Sequence, residues 1–457
     1  MNYIKLQIGM LIALLFFTGC DRFVAVDTPS SQLTGNVVFE DRATANAALV
    51  DLYAQLRDGG LLTGNGLGAG VCMGLYADEL TYYGTNDDNV FAMYNNSLQA
   101  NTSLVGQQWN SSYHQIYCAN AIIEGCQKSA GLSLADKKQF MGEALFVRAL
   151  IHFYLVNLYG DVPYIATTDY QLNRVATRMT TAEVYTHIIA DLEEAVTLLP
   201  DNYMTPDRVR PNSSVVWALL SRVYLYQGDW AAAANAASAV LNNPVYVWET
   251  DIDRVFLKDC TATIWQFSPK LSGNNADEGS TYIFQSGPPP YVALSSNLVT
   301  SFAANDLRRT HWIASVSDGS STWYHANKYK QQTNTGTSLE YSVVFRMSEQ
   351  YLIRAEARAR QGELSNALAD LNVVRNLAGL PNTTASTSSA IVAAVLQERQ
   401  WELFTEYGHR YFDLKRTGAL NGVLTSVKSG WNSTDELWPI PETELLVNPN
   451  LTQNPGY

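Results

Sequence analysis

Basic residues are in short supply in this chain of 457 residues. It has 30 Lys and Arg against 43 Asp and Glu, which gives a formal net charge of −13 at pH 7. Proteins that bind nucleic acid need concentrated positive charge to meet the phosphate backbone. The composition therefore argues against DNA or RNA as a partner.

Residue patterns that signal catalysis or metal binding are also lacking. The six histidines show no HxH or HExxH spacing, the five cysteines form no CxxC pair, and no GxSxG sequence occurs. The chain thus gives no support to a zinc site, a disulfide scaffold or a nucleophile elbow. We predict no catalytic residue, no metal and no cofactor. A glycoside hydrolase stays an alternative, because its two carboxylates are paired in space rather than in sequence.

Two short motifs resemble ligand-binding loops, but each is better explained as an ordinary loop or turn. The stretch "GNGLGAG" (64–70) superficially matches a dinucleotide-binding loop, but a predicted helix precedes it where a strand is required, so we predict a flexible loop. The stretch "TNDDN" (85–89) could offer oxygen ligands to calcium, but it lacks the twelve-residue loop pattern and reads as a solvated polar turn. The four cysteines after Cys20 are predicted to be buried small hydrophobic residues: Cys72, Cys118, Cys126 and Cys260.

The N-terminus has the features of an export signal. Lys5 precedes an apolar run from Leu6 to Phe17, which is too short to span a bilayer, and "FTGC" ends it at Cys20. Small residues directly before a cysteine resemble the lipobox of bacterial lipoproteins. The resemblance implies a signal peptide at 1–19, acylation of Cys20 and a polar tether at 20–40. The alternative is an ordinary cleaved signal with a chance cysteine.

Helical periodicity dominates the rest of the chain. Amphipathic helices are predicted at 41–57, 107–129, 134–159 and 181–199. Two later segments, 221–241 and 351–374, each run helix, glycine, acid, helix, at Gly228-Asp229 and at Gly362-Glu363. A glycine suits the left-handed end of the first helix, and the acid suits the start of the second. The pattern is typical of tetratricopeptide-like hairpins, here interrupted between the two copies.

The interruption differs in composition from the helical segments. Residues 244–346 are rich in Gly, Ser, Asn, Thr, Pro and aromatics, and strand-like runs "ATIWQF" and "YSVVFRM" stand at its two ends. A second irregular stretch, 59–102, lies between the first two helices. Long irregular segments in an ordered protein are often functional. We therefore predict a mainly α fold with a helical scaffold at 41–243 and 347–457, a ligand loop at 59–102 and a ligand-binding insertion at 244–346.

The stretch "ERQWELFTEYGHRYFDLKRTG" (398–418) is the most highly charged in the chain. Glu398, Glu402 and Glu406 recur at four-residue spacing and should share one helical face up to a helix end at Gly408. Like acids in a stripe need cations, so we predict structural ion pairs rather than catalysis. The nearby candidate partners are Arg399, His409, Arg410 and Arg416.

Four segments together resemble the SusD/RagB family of surface lipoproteins, which serve nutrient uptake in Gram-negative bacteria. They are "EALFVRALIHFYLVNLYGDVPY" (143–164), "MSEQYLIRAEARAR" (347–360), the charged stretch above, and "LWPIPETELLVNPNLTQNPGY" (437–457). The resemblance implies a tetratricopeptide-like scaffold, no catalysis, and a lid-like association with a TonB-dependent outer-membrane transporter. It also implies an oligosaccharide ligand or, as the alternative, a peptide.

No family motif carries ligand residues over to this chain, so candidates rest on physical chemistry. A sugar has an apolar C–H face, which packs on an aromatic ring, and a hydroxyl rim, which bonds polar side chains. Aromatics beside polar groups in the irregular segments are therefore the candidates: Tyr82, Tyr83, Asn86, Asp87, Tyr291, Trp312, Trp323 and Tyr324. Trp265 and Trp401 lie in regular apolar patterns and are predicted to be buried. Asp306 and Arg308 are predicted to form a structural pair.

Overall fold

The computed structural model describes residues 35–84 and 88–457. The predicted lipidation site Cys20, the tether before residue 35, and the candidates Asn86 and Asp87 lie outside the described residues. The helices are α1 (Gly35–Val38), α2 (Arg42–Asp58), α3 (Ala69–Tyr76), α4 (Asp88–Tyr94), α5 (Ser103–Lys128), α6 (Leu134–Tyr159), α7 (Tyr170–Asn173), α8 (Thr181–Leu198), α9 (Ser213–Gln227), α10 (Trp230–Leu241), α11 (Asp277–Tyr282), α12 (Ser296–Ser301), α13 (Leu307–His311), α14 (Met347–Arg360), α15 (Leu364–Leu377), α16 (Ser388–Leu403), α17 (His409–Arg416), α18 (Leu420–Val427) and α19 (Glu442–Val447).

In the part of the chain that the structure describes, three two-stranded antiparallel sheets accompany the helices. The strands are β1 (Leu80–Tyr82), β2 (Thr263–Phe267), β3 (Val292–Leu294), β4 (Ile313–Ser317), β5 (Thr322–Ala326) and β6 (Ser342–Arg346). They pair β1 with β3, β2 with β6, and β4 with β5. The mainly helical architecture predicted from the sequence is confirmed.

The helical hairpins form one continuous stack. Helix α5 packs on α6, α6 on α8, and α8 on α9; α9 then pairs with α10, which packs on α14, and α14 packs on α15 and α16. The contact between α10 and α14 joins the two hairpins that the insertion separates in sequence. The array that appears interrupted in the sequence is therefore uninterrupted in space.

Local sequence signals set the ends of these helices. Gly228 ends α9 in the left-handed conformation, and Asp229 accepts a hydrogen bond from the Ala232 N–H to start α10. Gly362 has the same left-handed backbone between α14 and α15, although Glu363 makes no such side-chain bond. Thr180 opens α8 with a complete capping box. The glycines of both predicted hairpins thus end their helices as expected, and in the first hairpin the acid also caps the next helix.

Helix α6 lies at the centre of the fold. In the described part of the chain it is the one helix that is long and apolar enough to cross a membrane, but 89% of that apolar window is buried inside the protein. It is hydrophobic on every side because other elements surround it: α5, α8 and the insertion strands all contribute to the same core. Trp265 on β2 is fully buried in this core.

The insertion is fastened to the scaffold at its two ends. Strands β2 and β6, predicted from "ATIWQF" and "YSVVFRM", pair with each other, and β6 runs directly into α14. All five residues of each strand are buried. The chain therefore leaves the scaffold and returns to it along one buried ribbon.

Two expectations about local structure need correction. Residues 59–102, expected to be irregular, contain α3, β1 and α4, and all of α3 except Gly70 is buried. Of the four cysteines expected to be buried, Cys72, Cys126 and Cys260 are buried, whereas Cys118 is only partly buried. The apolar run of α3 is a short core helix rather than part of an open loop.

A buried ion network joins the insertion to α16. Arg308 contacts Glu398 at 2.7 Å and Glu402 at 2.9 Å, and Arg346 contacts Glu402 and also Glu406, the latter at 2.8 Å. Although burial alone would raise the pKa of the Glu402 carboxyl, Arg346 and Arg308 lower it to about 2. The predicted structural role of the three acids is confirmed, as is the Asp306–Arg308 pair at 2.8 Å.

The partners of these acids are not the cations predicted from neighbouring sequence. Helix α16 ends at Leu403 rather than at Gly408, so Glu406 reaches the network from the following turn. The sequence-adjacent arginines pair elsewhere, namely Arg399 with Asp413, Arg410 with Asp78, and Arg416 with Glu356. Burial and the surrounding cations hold the pKa of His409 well below its usual value. The ion-pair partners of the three glutamates are therefore set by contacts between distant parts of the chain rather than by proximity in sequence.

The network predicts a large stability loss when one cation is removed. Arg346→Met should lower the free energy of unfolding by about 3–5 kcal/mol, because Glu402 and Glu406 would lose a buried counter-charge. Arg42→Met is the matched control, since Arg42 pairs with Asp136 at the surface and should cost less than about 1 kcal/mol. Urea unfolding measures both, and equal losses would show that the network contributes no special stability.

Candidate functional site

The β1–β3 sheet brings together two aromatic residues that are far apart in sequence. The rings of Tyr82 and Tyr291 meet edge to face with their centroids 5.9 Å apart. The Tyr83 N–H donates to the Tyr291 carbonyl at 2.8 Å, and the Tyr291 hydroxyl donates to the Gly66 carbonyl at 2.9 Å. Both rings are half-buried. Each therefore has a fixed orientation and a part of its surface open to solvent.

Phe91 extends this cluster and was not among the predicted residues. Its ring centroid lies 6.5 Å from that of Tyr82, and the side chain is 55% exposed. Val90 and Met93 of the same helix, α4, are buried, so Phe91 lies on the outer side of α4. An aromatic residue out of phase with the buried face of its helix is the signal that could have found it.

Trp323 lies on the neighbouring hairpin. Strand β5 contacts β3, and the Trp323 ring packs against Gly287 in the segment "GPPP" (287–290). A Cβ added to Gly287 would lie 2.0 Å from that ring, so only glycine permits the approach. Trp323 is half-buried. We call the partly exposed rings of Tyr82, Phe91, Tyr291 and Trp323 the aromatic face.

Two predicted neighbours contribute differently. Successive residues of a strand point to opposite sides, and Tyr324 packs against the hydrophobic core while remaining partly exposed. Tyr83 follows β1 and is half-buried. Both lie next to aromatic-face residues in sequence.

Trp312 does not belong to the site, and its prediction as a ligand-binding residue is wrong. The side chain is 1% exposed, and its indole N–H donates to the Ile252 carbonyl at 3.1 Å. Phe256 meets it edge to face, and the Lys328 ammonium lies 5.1 Å from its ring centroid. The Trp312 ring packs against the cations Lys328 and Arg346 of the buried ion network, so its faces are not accessible to a ligand.

An open depression adjoins the aromatic face. It has a volume of about 190 Å³ and lies between the glycine-rich stretch, α11 and the residues before β3. Its lining mixes rings with polar groups: Gly66, Ser280, Thr281, Tyr282, Ile283, Phe284, Pro290, Tyr291 and Val292. Flat apolar rings beside hydroxyl and backbone groups are the chemistry that a pyranose requires.

Comparison with known proteins identifies the scaffold. A family model described as "Starch-binding associating with outer membrane" matches residues 76–225, and the model of the SusD family matches residues 300–457. The chain belongs to the SusD/RagB family. SusD-like protein P2 of Formosa agariphila is 27% identical, over 99% of this chain and 100% of its own length. Starch-binding protein SusD of Bacteroides thetaiotaomicron is 23% identical, over 72% of this chain and 75% of its own length.

Solved structures support the same SusD/RagB fold. A SusD superfamily protein from Bacteroides vulgatus has a TM-score of 0.78 at 20% identity, covering 92% of this chain and all of its own. A laminarin-binding SusD-like protein has a TM-score of 0.76 at 24% identity, covering 91% of this chain and 99% of its own. At these identities the likeness establishes the fold.

In this SusD/RagB protein, the glycine-rich stretch behind the aromatic face is tightly packed rather than a flexible loop. A Cβ on Gly64 would lie 2.5 Å from the Glu278 carboxylate, and one on Gly68 would lie 1.8 Å from the Thr63 carbonyl. A cavity of about 20 Å³, room for about one water, lies beside Gly64, Glu278 and Lys328. The glycines serve close packing, which explains the motif without a nucleotide.

Burial raises the pKa of Glu278 to about 7, while the Ser342 hydroxyl donates to its carboxylate at 2.7 Å. The folded protein therefore keeps a proton that the unfolded chain loses near its ordinary pKa of 4.5. Because the folded state binds more protons in this window, the free energy of unfolding falls as pH rises through it. Burial also raises the pKa of Glu79 to about 8, which acts in the same direction.

Glu278→Gln should flatten that fall in stability between about pH 4.5 and 7, since the amide cannot titrate. Urea unfolding at a series of pH values measures the slope. Glu363→Gln, at an exposed residue, is the matched control and should keep the wild-type slope. An unchanged slope in Glu278→Gln would contradict the assignment.

Proposed function

We propose that this protein is a cell-surface, non-catalytic binding protein for oligosaccharides, held at the outer membrane by a lipid on Cys20. One observation carries the proposal: the aromatic face gathers partly exposed rings from three separate parts of the chain beside an open depression with polar groups. Rings that are fixed by packing offer stacking surfaces at little cost in conformational entropy.

The comparisons support the ligand class. One relative is named a starch-binding protein, and one structural neighbour is described as laminarin-binding. Starch and laminarin are both polysaccharides. The ligand of this chain is therefore proposed as an oligosaccharide without a stated linkage. Tyr83 and Tyr324, which flank the aromatic face in sequence, and Asn86 and Asp87, which follow Tyr83 closely, are kept as candidate contacts.

The proposed place of the protein follows from its family. A matching family model is described as associating with the outer membrane, and the sequence places a lipobox-like "FTGC" before the tether. Several acyl chains on one cysteine hold a protein firmly at a bilayer. We place this protein beside a TonB-dependent transporter that receives the bound sugar. The helical scaffold, rather than the aromatic face, is the side left for that partner.

Affinity electrophoresis and calorimetry over a panel of polysaccharides test the ligand class. Trp323→Ala and Phe91→Ala should each weaken binding of the recognised glycan by at least about fivefold, because each removes a stacking surface. Tyr224→Ala, on scaffold helix α9, is the control and should bind like wild type. Thermal unfolding of each variant checks that the fold is retained.

Two results would contradict this proposal. Binding of peptides with no response to any glycan would assign the ligand to the peptide class. Release of shorter sugars by the purified protein, abolished by one carboxylate substitution, would make it a hydrolase. We expect the recognised glycan to keep its chain length.

The lipid anchor has a separate test. Cys20→Ser should move the protein from the outer-membrane fraction to the soluble fraction, because the substituted residue cannot carry the thioether-linked lipid. Mass spectrometry of the wild-type N-terminal peptide should find an acylated Cys20. An unmodified Cys20 in the wild-type protein would refute the anchor and leave the ligand proposal standing.

A further inference from the structure

A second groove lies on the helical scaffold, outside the aromatic face. It has a volume of about 330 Å³ and runs between α5, the segment that follows α6, and the C-terminal helix α19. Its lining is mostly aromatic and apolar with a few amides: Trp109, Asn110, Tyr113, Tyr117, Pro163, Ile165, Thr168, Tyr170, Asn173, Ala176, Glu444, Asn448 and Leu451. Pro163, Glu444, Asn448 and Leu451 belong to two of the family-like segments, but none of the lining residues was predicted to bind a ligand.

Three of its rings form a stripe along α5. Trp109, Tyr113 and Tyr117 stand four residues apart and therefore share one helical face. The rings of Trp109 and Tyr113 lie 4.7 Å apart, and the Tyr113 hydroxyl donates to the Pro163 carbonyl at 2.9 Å, which fixes its ring. Tyr170, across the groove, is 72% exposed. The groove thus has a fixed floor and an open rim.

One carboxylate lies in this aromatic setting. Glu444 is half-buried, the Trp109 indole is its hydrogen-bonding partner, and burial raises the pKa of its carboxyl. Within the described residues no Lys, Arg or His forms an ion pair with Glu444, and it is the one charged side chain among the lining residues. Arg178 lies near Tyr113 but donates to the Asp161 and Thr452 carbonyls. The negative charge of the groove is therefore uncompensated.

We propose that this groove binds an organic ammonium ion. Aromatic faces attract a cation through their quadrupoles, and an ionised carboxylate in a partly desolvated site strengthens that attraction. The exposed Asn110 amide and the Asn173 side-chain oxygen can bond hydroxyl groups around the cation, which favours an amino sugar over a simple alkylammonium ion. The Asn448 amide is already bonded to Ala176 and Asn450. The volume is at the lower end for ligand pockets and suits a single ring or a short chain.

Paired ligands that differ only in charge test the proposal. Glucosamine against glucose, and choline against its neutral carbon analogue dimethylbutanol, are titrated near neutral pH and followed by NMR on the full mature chain. The cationic member of at least one pair should bind at least about fivefold more tightly than its neutral partner. Binding of glucosamine identifies an amino-sugar site, and binding of choline alone identifies a site for quaternary ammonium; both support the proposal.

Variants locate the binding in the groove. Glu444→Gln should weaken the cation about tenfold, and Tyr170→Ala should weaken it severalfold. Glu442→Gln removes the same charge from an exposed residue of the same helix and should change nothing. Phe91→Ala, at the aromatic face, should also leave cation binding intact, which separates this result from the proposed glycan function.

Three results would overturn the inference. They are the absence of binding by either cation, equal binding of the charged and neutral members of both pairs, and wild-type affinity in Glu444→Gln.

Discussion

The buried pairing of Arg308, Lys328 and Arg346 with the acids of residues 398–406 is the constraint on which the rest of the structure depends. The three cations come from the insertion, and the acids come from the end of α16 and the turn after it. Each charge is costly to bury alone, so the energy is low only when both segments meet in one geometry. Hydrophobic contact would tolerate sliding between the segments, whereas bidentate guanidinium–carboxylate contacts do not.

That fixed meeting point determines where ligand-facing groups can lie. Lys328 follows β5 by two residues and donates to the carbonyls of Glu402 and Phe404, so the β4–β5 hairpin is tied to the scaffold. Trp323 is on that hairpin, and β5 in turn contacts β3, next to Tyr291. The β4–β5 hairpin can therefore hold the Trp323 ring in a defined position, because the contacts of Lys328 with the scaffold restrain the backbone of the hairpin.

Sequence reasoning recovered what depends on local chemistry. The helix ends at Gly228 and Thr180 and the strands at both ends of the insertion follow from caps and periodicity, which act over a few residues. The ion partners of Glu402 were missed because they lie 56 and 94 residues away. Trp312 was misassigned because a polar, irregular setting in sequence does not reveal burial in space. Phe91 was missed because residues 59–102 were expected to be irregular, so its place on the outer side of a helix was not predicted. The α5 stripe was missed because aromatic residues at helical spacing in an amphipathic helix suggest core.

The contact between α10 and α14 bears on how the insertion can vary during evolution. The chain leaves the helical stack after α10 and rejoins it at α14, which packs directly on α10. The insertion at 244–346 therefore does not interrupt the contacts between neighbouring hairpins. An insertion of this kind can be lengthened, shortened or replaced during evolution without a change in the packing of the helical hairpins. The requirement is that the β2–β6 ribbon and the ion pairs of Arg308 and Arg346 are kept. Ligand specificity can therefore change through the insertion alone while the stack of helical hairpins stays the same.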